Sequence, residues 1–226
     1  MRTTEMNFEG SVRIRLADEE ALLLPDKAVF LPETAELLLS DIHLGKSSHF
    51  RRAGIAVPSS LYSADLLKLG KLINKMCPVR VIILGDLFHI GHENDAELFA
   101  VWRKSFSRIA FTLVRGNHDR ISDKTLNELG LEAHAEYRMR GFRLAHIPGD
   151  ADGDSDIAIH GHVHPAVRAF GKARQSAVLQ CFHLRKKTLI LPAFGEFTGN
   201  HIIRPERGDG IYAIVNDGID PRVVPM

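Results

Sequence analysis

The 226-residue sequence contains only two cysteines, Cys77 and Cys181. They lie far apart and outside any CxxC spacing, which excludes a disulfide framework and a thiolate zinc knuckle. Charge bias is also missing. With 29 Lys+Arg against 28 Asp+Glu the formal net charge is +1, so no global field draws the chain to a polyanion, and any nucleic-acid contact must be local. No apolar run approaches the roughly 18 residues of a membrane-spanning helix, and the polar opening MRTTEMNFEG has no signal-like apolar stretch. These absences predict a soluble, cytoplasmic chain with no membrane partner. Internal repeats, low-complexity tracts and linkers are absent too. A chain of this length suffices for one full core and falls short of two ordinary domains, so residues 1–226 read as a single domain.

Histidine, by contrast, is plentiful at 12 residues, and imidazole is the commonest side-chain metal ligand. Four segments share one design, an apolar run followed by glycine or serine and then metal-type ligands: LLLSDIHLG at 37–45, VIILGDLFH at 81–89, FTLVRGNHD at 111–119 and DIAIHGHVH at 156–164. A strand buried on both faces reads as such a run, and its carboxyl end delivers the next residues to a crevice. Asp41 and His43 are two residues apart, so on extended backbone both side chains face the same way. His162 and His164 repeat the device, with Gly161 allowing a tight turn before them. Asp86, Asn117 and His146 complete the set.

Carboxylate, amide oxygen and imidazole together suit borderline or hard divalent ions, manganese foremost, with iron and zinc as alternatives. Seven ligands are too many for one tetrahedral ion. They suit two ions roughly 3.5–4 Å apart that share a carboxylate, here Asp86. Taken singly, each string has an ordinary explanation: DxH as a solvated turn, GD as a common strand end, GNHD as a turn with a capping Asn. Four apolar runs that each end in part of one ligand set are harder to explain that way.

Along the chain, short β-type runs from Ser11 to Ser40 form a meander. Amphipathic helices follow the first two site loops, one after Pro58 with Ser59 and Ser60 as caps and one over Glu93 to Phe106, and a short helix spans Ser122 to Leu129. Strand patterns dominate afterwards in GFRLAHI, DIAIHG, SAVLQCFHL, KTLILPAF and GIYAIVN. This order predicts an α/β fold of two mixed sheets packed face to face with helices outside. Trp102 and Phe106 read as core, and Pro192 to Phe197 as a structural turn near the site floor.

DxH at 41–43, GD at 85–86, GNHD at 116–119, His146 and GHxH at 161–164 resemble the five motifs of the calcineurin-like metallophosphoesterases. That resemblance implies a four-layer α/β/β/α sandwich. It also implies that Asp41, His43, Asp86 and His164 hold one ion and Asp86, Asn117, His146 and His162 the other, with His118 as the catalytic residue that helps the leaving group depart. The wider strings SDIHLGKSSHFRRAGIAVP, LGDLFH, GHVHP and LPAFGEFTG are similar to the bacterial ligase-associated DNA damage response metallophosphoesterases. This further resemblance implies a phosphodiesterase or nuclease acting on DNA or RNA, functionally associated with a DNA ligase and a helicase in DNA repair.

One departure narrows the substrate class. Phosphoprotein phosphatases of the superfamily carry GDxxDRG, whereas this chain has GDLFHIG: His89 replaces the second Asp and no Arg follows. Protein phosphatase activity is thereby disfavoured, and the partner of His118 is left open, with Asp119 available. Arg51, Arg52 and Arg115 are candidate substrate contacts, because arginine offers phosphate a planar fork. His160 reads as packed behind the ligands, and His49, His89 and His92 as rim residues with structural roles. Two rival readings are a hydrolase of a small nucleotide or pyrophosphate diester, and a non-catalytic repair scaffold. Aromatic cap residues would favour the first, but the loop at 45–58 is mainly polar. Retention of all seven ligands and His118 speaks against the second.

Overall fold

The computed structural model describes residues 8–46, 61–89, 93–149, 156–171, 175–216, 218 and 220–226. Four antiparallel strands, β1 (Val12–Leu16), β2 (Glu19–Leu24), β3 (Ala28–Leu31) and β4 (Glu36–Leu39), form the expected meander. The sheet then turns parallel through β5 (Arg80–Leu84), β6 (Ala110–Val114) and β7 (Glu132–His134). The crossovers carry α1 (Leu61–Met76), α2 (Glu93–Lys104) and α3 (Asp123–Glu128), because parallel neighbours need a long return path that a helix can cover. Ser122 caps α3 through its hydroxyl, which accepts from the Thr125 amide. The caps expected at Ser59 and Ser60 lie outside the described residues.

The central strands read as unbroken apolar runs because both of their faces are covered. Leu37, Leu39, Val81, Ile83, Phe111 and Leu113 pack against the helices through Leu66, Leu69, Ile73, Phe99 and Leu126. Leu38, Ile82, Leu84 and Val114 face the opposite way, onto the second sheet. Trp102 and Phe106 pack against the helical side, as core.

That second sheet begins with β8 (Tyr137–Met139), β9 (Phe142–Leu144) and β10 (Ile157–His160). It continues with β11 (Pro165–Phe170), β12 (Ser176–Arg185), β13 (Thr188–Ile190), β14 (His201–Ile202), β15 (Gly210–Val215) and β16 (Arg222–Pro225). The strand path is β14-β11-β12-β13-β10-β9-β8, with β15 and β16 attached at β12. Within it β9, β10 and β13 run parallel. Phe142, Leu144, Ile159, Phe182 and Leu189 fill the space between the sheets. The two mixed sheets of the metallophosphoesterase fold are therefore present. All three described helices lie on the first sheet's outer side, and among the described residues no helix covers the outer face of the second. None of these helices is long and apolar enough to cross a membrane.

Register fixes what happens at the strand ends. Leu39 pairs with Ile83, and Ile83 with Leu113, so β4, β5 and β6 finish nearly level; Leu144 pairs with Ile159, so β9 and β10 do the same. All five deliver the next residues to one rim of the sandwich. Phe182 is wholly buried between the sheets, and Phe182→Ala should destabilise the protein by about 3–5 kcal/mol, as large core truncations do. Urea unfolding measures this; a cost under about 1 kcal/mol would mean that the sheets do not close around that ring.

Candidate metal centre

Three of the five ligand loops leave their strands through unusual backbone. Asp41, His43, Asp86, His162 and His164 all have positive φ, at 55°, 53°, 52°, 66° and 52°. Non-glycine residues occupy this left-handed region rarely and at a cost, and such residues collect where function demands a particular side-chain direction. Both DxH and HxH thus place two left-handed residues two positions apart, rather than the plain extended ends expected from spacing. Inter-loop hydrogen bonds hold the conformation: the Asp41 amide donates to Gly85 O at 3.1 Å and the His43 amide to Asp86 O at 2.9 Å. Gly161 is needed for a reason other than a tight turn. A Cβ there would lie 2.4 Å from Asp41 Oδ2, so the glycine permits close approach of the two loops. At Gly116 a Cβ would lie 2.1 Å from Asp86 Oδ1.

The structure brings all seven predicted ligands together. Asp41, His43 and His164 form one group and Asp86, His146 and His162 another, each with ligand atoms within 4.8 Å of one another. Asp86 Oδ2 borders both, 3.7 Å from His43 Nε2 and 3.4 Å from His146 Nε2. Asn117 Oδ1 lies 3.1 Å from His146 Nε2, and His162 Nδ1 is 3.1 Å from the same nitrogen.

Backbone carbonyls orient the rings. His146 Nδ1 donates to Leu84 O at 2.8 Å and His164 Nδ1 to Gly199 O at 3.1 Å, which fixes each tautomer so that Nε2 presents a lone pair to the site. Asp41 Oδ2 accepts from Ser40 Oγ at 2.6 Å and from the His162 amide at 2.9 Å. Its Oδ1 is buried without a hydrogen bond, although His164 Nε2 is only 3.1 Å away. Carboxylate, amide and imidazole groups gathered at about 3 Å are what a cation resolves, so the residues fit a binuclear divalent centre.

Titration behaviour agrees with that reading. Burial alone would raise Asp86, but the His146 ring, the His118 amide and His43 outweigh it and bring the carboxyl to about 2. Burial drives His43 down to about 3 against the pull of Asp41 and Asp86, which keeps it neutral. At His146 burial is overcome by the Asp86 and Asp41 carboxylates, and its value rises above normal. With Nδ1 committed to Leu84 O, the two carboxylates favour a proton on Nε2, on the side where a cation would be held.

Around the ligands sit residues whose roles sequence reasoning did not find. Asp119 is buried, with Oδ2 accepting from the amides of Asp86 (2.8 Å) and Gly116 (2.9 Å) and Oδ1 from that of Phe88 (3.1 Å). It clamps the GDLF and GNHD loops together and is not the partner of His118. That partner is the His89 carbonyl, which accepts from His118 Nδ1 at 2.9 Å, while the two rings stack with centroids 5.1 Å apart. The only sequence hint was the GDLFH departure itself. Beneath the DIH loop the Phe194 amide donates to Ser40 O and that of Gly195 to Asp41 O. Glu196 ties this turn to Lys68 at 2.8 Å and Lys27 at 3.3 Å, so the expected floor at 192–197 is present.

Arg115 is bonded within the chain. Its Nη1 donates to Asp119 O and Ile121 O and its Nη2 pairs with Asp123. The fork braces the GNHD loop against the start of α3. Arg51, Arg52, His49 and His92 lie outside the described residues. His160 is buried, as expected of a residue behind the ligands.

A family model described as calcineurin-like phosphoesterase matches residues 37–175, and the chain belongs to that family. It is a metal-dependent phosphoesterase. Among solved structures, nuclease MPE of Pseudomonas putida superposes with a TM-score of 0.78 at 30% identity, covering 96% of this chain and 100% of that one. YfcE, a phosphoesterase from E. coli, gives a TM-score of 0.42 at 17% identity, over 80% of this chain and 88% of that one. No curated protein matched.

Because the Asp86 and Asp41 carboxylates favour a proton on His146 where a cation would be held, ion uptake should compete with that proton. Calorimetric titration with manganese in two buffers of different ionisation enthalpy is expected to show net proton release near neutral pH. Apparent affinity should weaken, approaching tenfold per unit, as pH falls below the raised His146 value. Uptake that is pH-independent and releases no proton would contradict this arrangement.

Proposed function

We propose that this protein is a phosphodiesterase acting on nucleic acid, a nuclease working with two manganese ions. The observation that carries the reading is the ligand cup with His118 beside it and no guanidinium of GDxxDRG type to grip a terminal phosphate. A dianionic phosphomonoester gains most from such a grip, whereas a diester carries a single charge and needs it less. The nuclease named above, alike over essentially the whole length of both chains, supports the same substrate class. We also propose that residues 1–226 act as one cytoplasmic domain, and that the ligase-associated subgroup resembled in the wider strings brings a DNA ligase, a helicase and a DNA-repair setting.

Asp41, His43, Asp86 and His164 would hold one ion, and Asp86, Asn117, His146 and His162 the other. Ions held there would supply Lewis-acid charge for the phosphoryl oxygens and a water acidic enough to lose its proton near neutral pH. The chain's own residues do the rest. Asp86 Oδ1 accepts from the His118 amide at 2.9 Å, so the shared carboxylate also positions the catalytic histidine. His118 Nδ1 is held by His89 O, leaving Nε2 to exchange a proton with the departing oxygen. General acid help of this kind is worth typically about 10²- to 10⁴-fold. His89 restricts the His118 ring through both its carbonyl and its own ring, and is a positioning residue.

His118→Ala should keep two ions per chain and lose about 10²- to 10⁴-fold in diester turnover. Metal analysis beside steady-state kinetics on a generic diester checks this. A variant that loses its ions, and recovers full rate once they are restored, would remove His118 from the chemistry. On the same reading the wild-type protein should prefer a generic diester to the matching monoester, and a reversed preference would overturn the diesterase assignment.

A further inference from the structure

The chain turns away from the metal cup directly after His43, and that turn is tightly built. The Leu44 amide donates to Leu87 O at 2.8 Å and the His89 amide to Leu44 O at 2.9 Å, so Leu44 bridges to Phe88 of the neighbouring ligand loop. Gly45 then takes a φ of 86°, and the Lys46 amide closes the turn on His43 O at 3.2 Å. A Cβ at Gly45 would collide with Asp95 Oδ2, so the buried carboxylate in the first turn of α2 admits only glycine there. The lysine that follows is thereby fixed beside the cup, one backbone hydrogen bond from a ligand.

Electrostatics agrees with that placement. Lys46 is half-buried, and burial draws its pKa below the usual lysine range against the attraction of Asp41 and Asp86. Its charge reaches His43 in turn and opposes protonation of that ring. Among the described residues, however, the groups within ion-pair distance of these two carboxylates are His43, His146 and His164. The ammonium therefore stands near the cup without closing on either acid. Asp95 Oδ2 is buried with no hydrogen-bond partner, so it does not hold the lysine, and residues 47–58 contain no acid. Two carboxylates carry half the charge of two divalent ions. A loaded cup is cationic, and an ammonium beside it is stabilised only when an anion lies between them.

We propose that Lys46 contacts a non-bridging oxygen of the phosphate being cut, as one point charge where the phosphoprotein phosphatases use an arginine fork. The proposal rests on the diesterase reading and deepens it, because a single ammonium matches a phosphate with a single negative charge and demands no second oxygen. The non-bridging oxygens gain charge as the bond breaks, so the contact strengthens in the transition state and its loss lowers kcat as well as raising KM.

The test compares wild type with Lys46→Met, Lys46→Arg and, as a control for charge lost elsewhere, Lys75→Met at the exposed end of α1. Each manganese-loaded protein is assayed for bound metal, for calorimetric binding of inorganic phosphate, and for kcat and KM on bis(4-nitrophenyl) phosphate. Lys46→Met should keep its metal and lose about ten- to a hundredfold in phosphate affinity and in kcat/KM, the range for a hydrogen bond to a charged group. Lys46→Arg should recover most of both. In wild type, inorganic phosphate should also slow acetylation of Lys46 and not of Lys75, read by mass spectrometry, a measurement that needs no variant to fold. Unchanged phosphate affinity, an equal loss in the Lys75→Met control, or acetylation of Lys46 indifferent to phosphate would overturn the proposal. So would a Lys46→Met protein that loses metal and regains wild-type phosphate affinity once reloaded. Wild-type protein that binds phosphate through Lys46 yet turns over no diester would instead overturn the diesterase reading beneath it.

Discussion

The centre of this protein is a confrontation of lone pairs. Asp41 Oδ1, Asp86 Oδ2, Asn117 Oδ1 and the nitrogens of four imidazoles are gathered within a few ångströms, in an arrangement that without a cation would be repulsive. It persists because four of the seven ligands are held from behind. Leu84 O and Gly199 O each take a ring proton, Ser40 Oγ and the His162 amide occupy the other oxygen of Asp41, and the His118 amide occupies that of Asp86. Ligands fixed in this way cannot relax away from one another, so the folding energy of two sheets maintains a site with high affinity for positive charge.

Strain and sheet register work to the same end. Five of the seven ligands sit at positive φ, and such residues survive only where the surroundings over-determine them. Here the inter-loop hydrogen bonds, the three-amide clamp of Asp119 and the turn at 192–197 supply that surplus. Level strand ends in both sheets let loops distant in sequence meet without long connections. His118 belongs to this network, because its amide rests on Asp86 and its ring on His89.

Much of this was legible in the sequence, and the physical reasons differ by element. Strands β4, β5 and β6 are covered on both faces, so burial wrote itself as continuous apolar runs that no loop would carry. The ligands were legible because their residue types are costly to assemble for any other purpose. Asp119 was visible as a residue but not as a clamp, since its partners are backbone amides and every residue carries one. For the same reason the carbonyl of His89 left no trace, and only its stacking on His118 gives the GDLFH string a meaning. The brace made by Arg115 was not legible, because an arginine beside GNHD suits a phosphate and a helix start equally well, and only geometry shows its bonds to the latter. Strands β7, β8, β14 and β16 have two to four residues, too few for a period to show.

Stoichiometry of bound ions tests the central idea most directly. Protein stripped of metal and reconstituted with manganese should hold two ions per chain. Asp86→Asn, which leaves the shape of the shared side chain but removes its charge, should hold at most one while remaining folded. A wild-type protein that saturates at one ion, or an Asp86→Asn variant that still holds two with unchanged affinity, would contradict the claim that one carboxylate joins two cation sites.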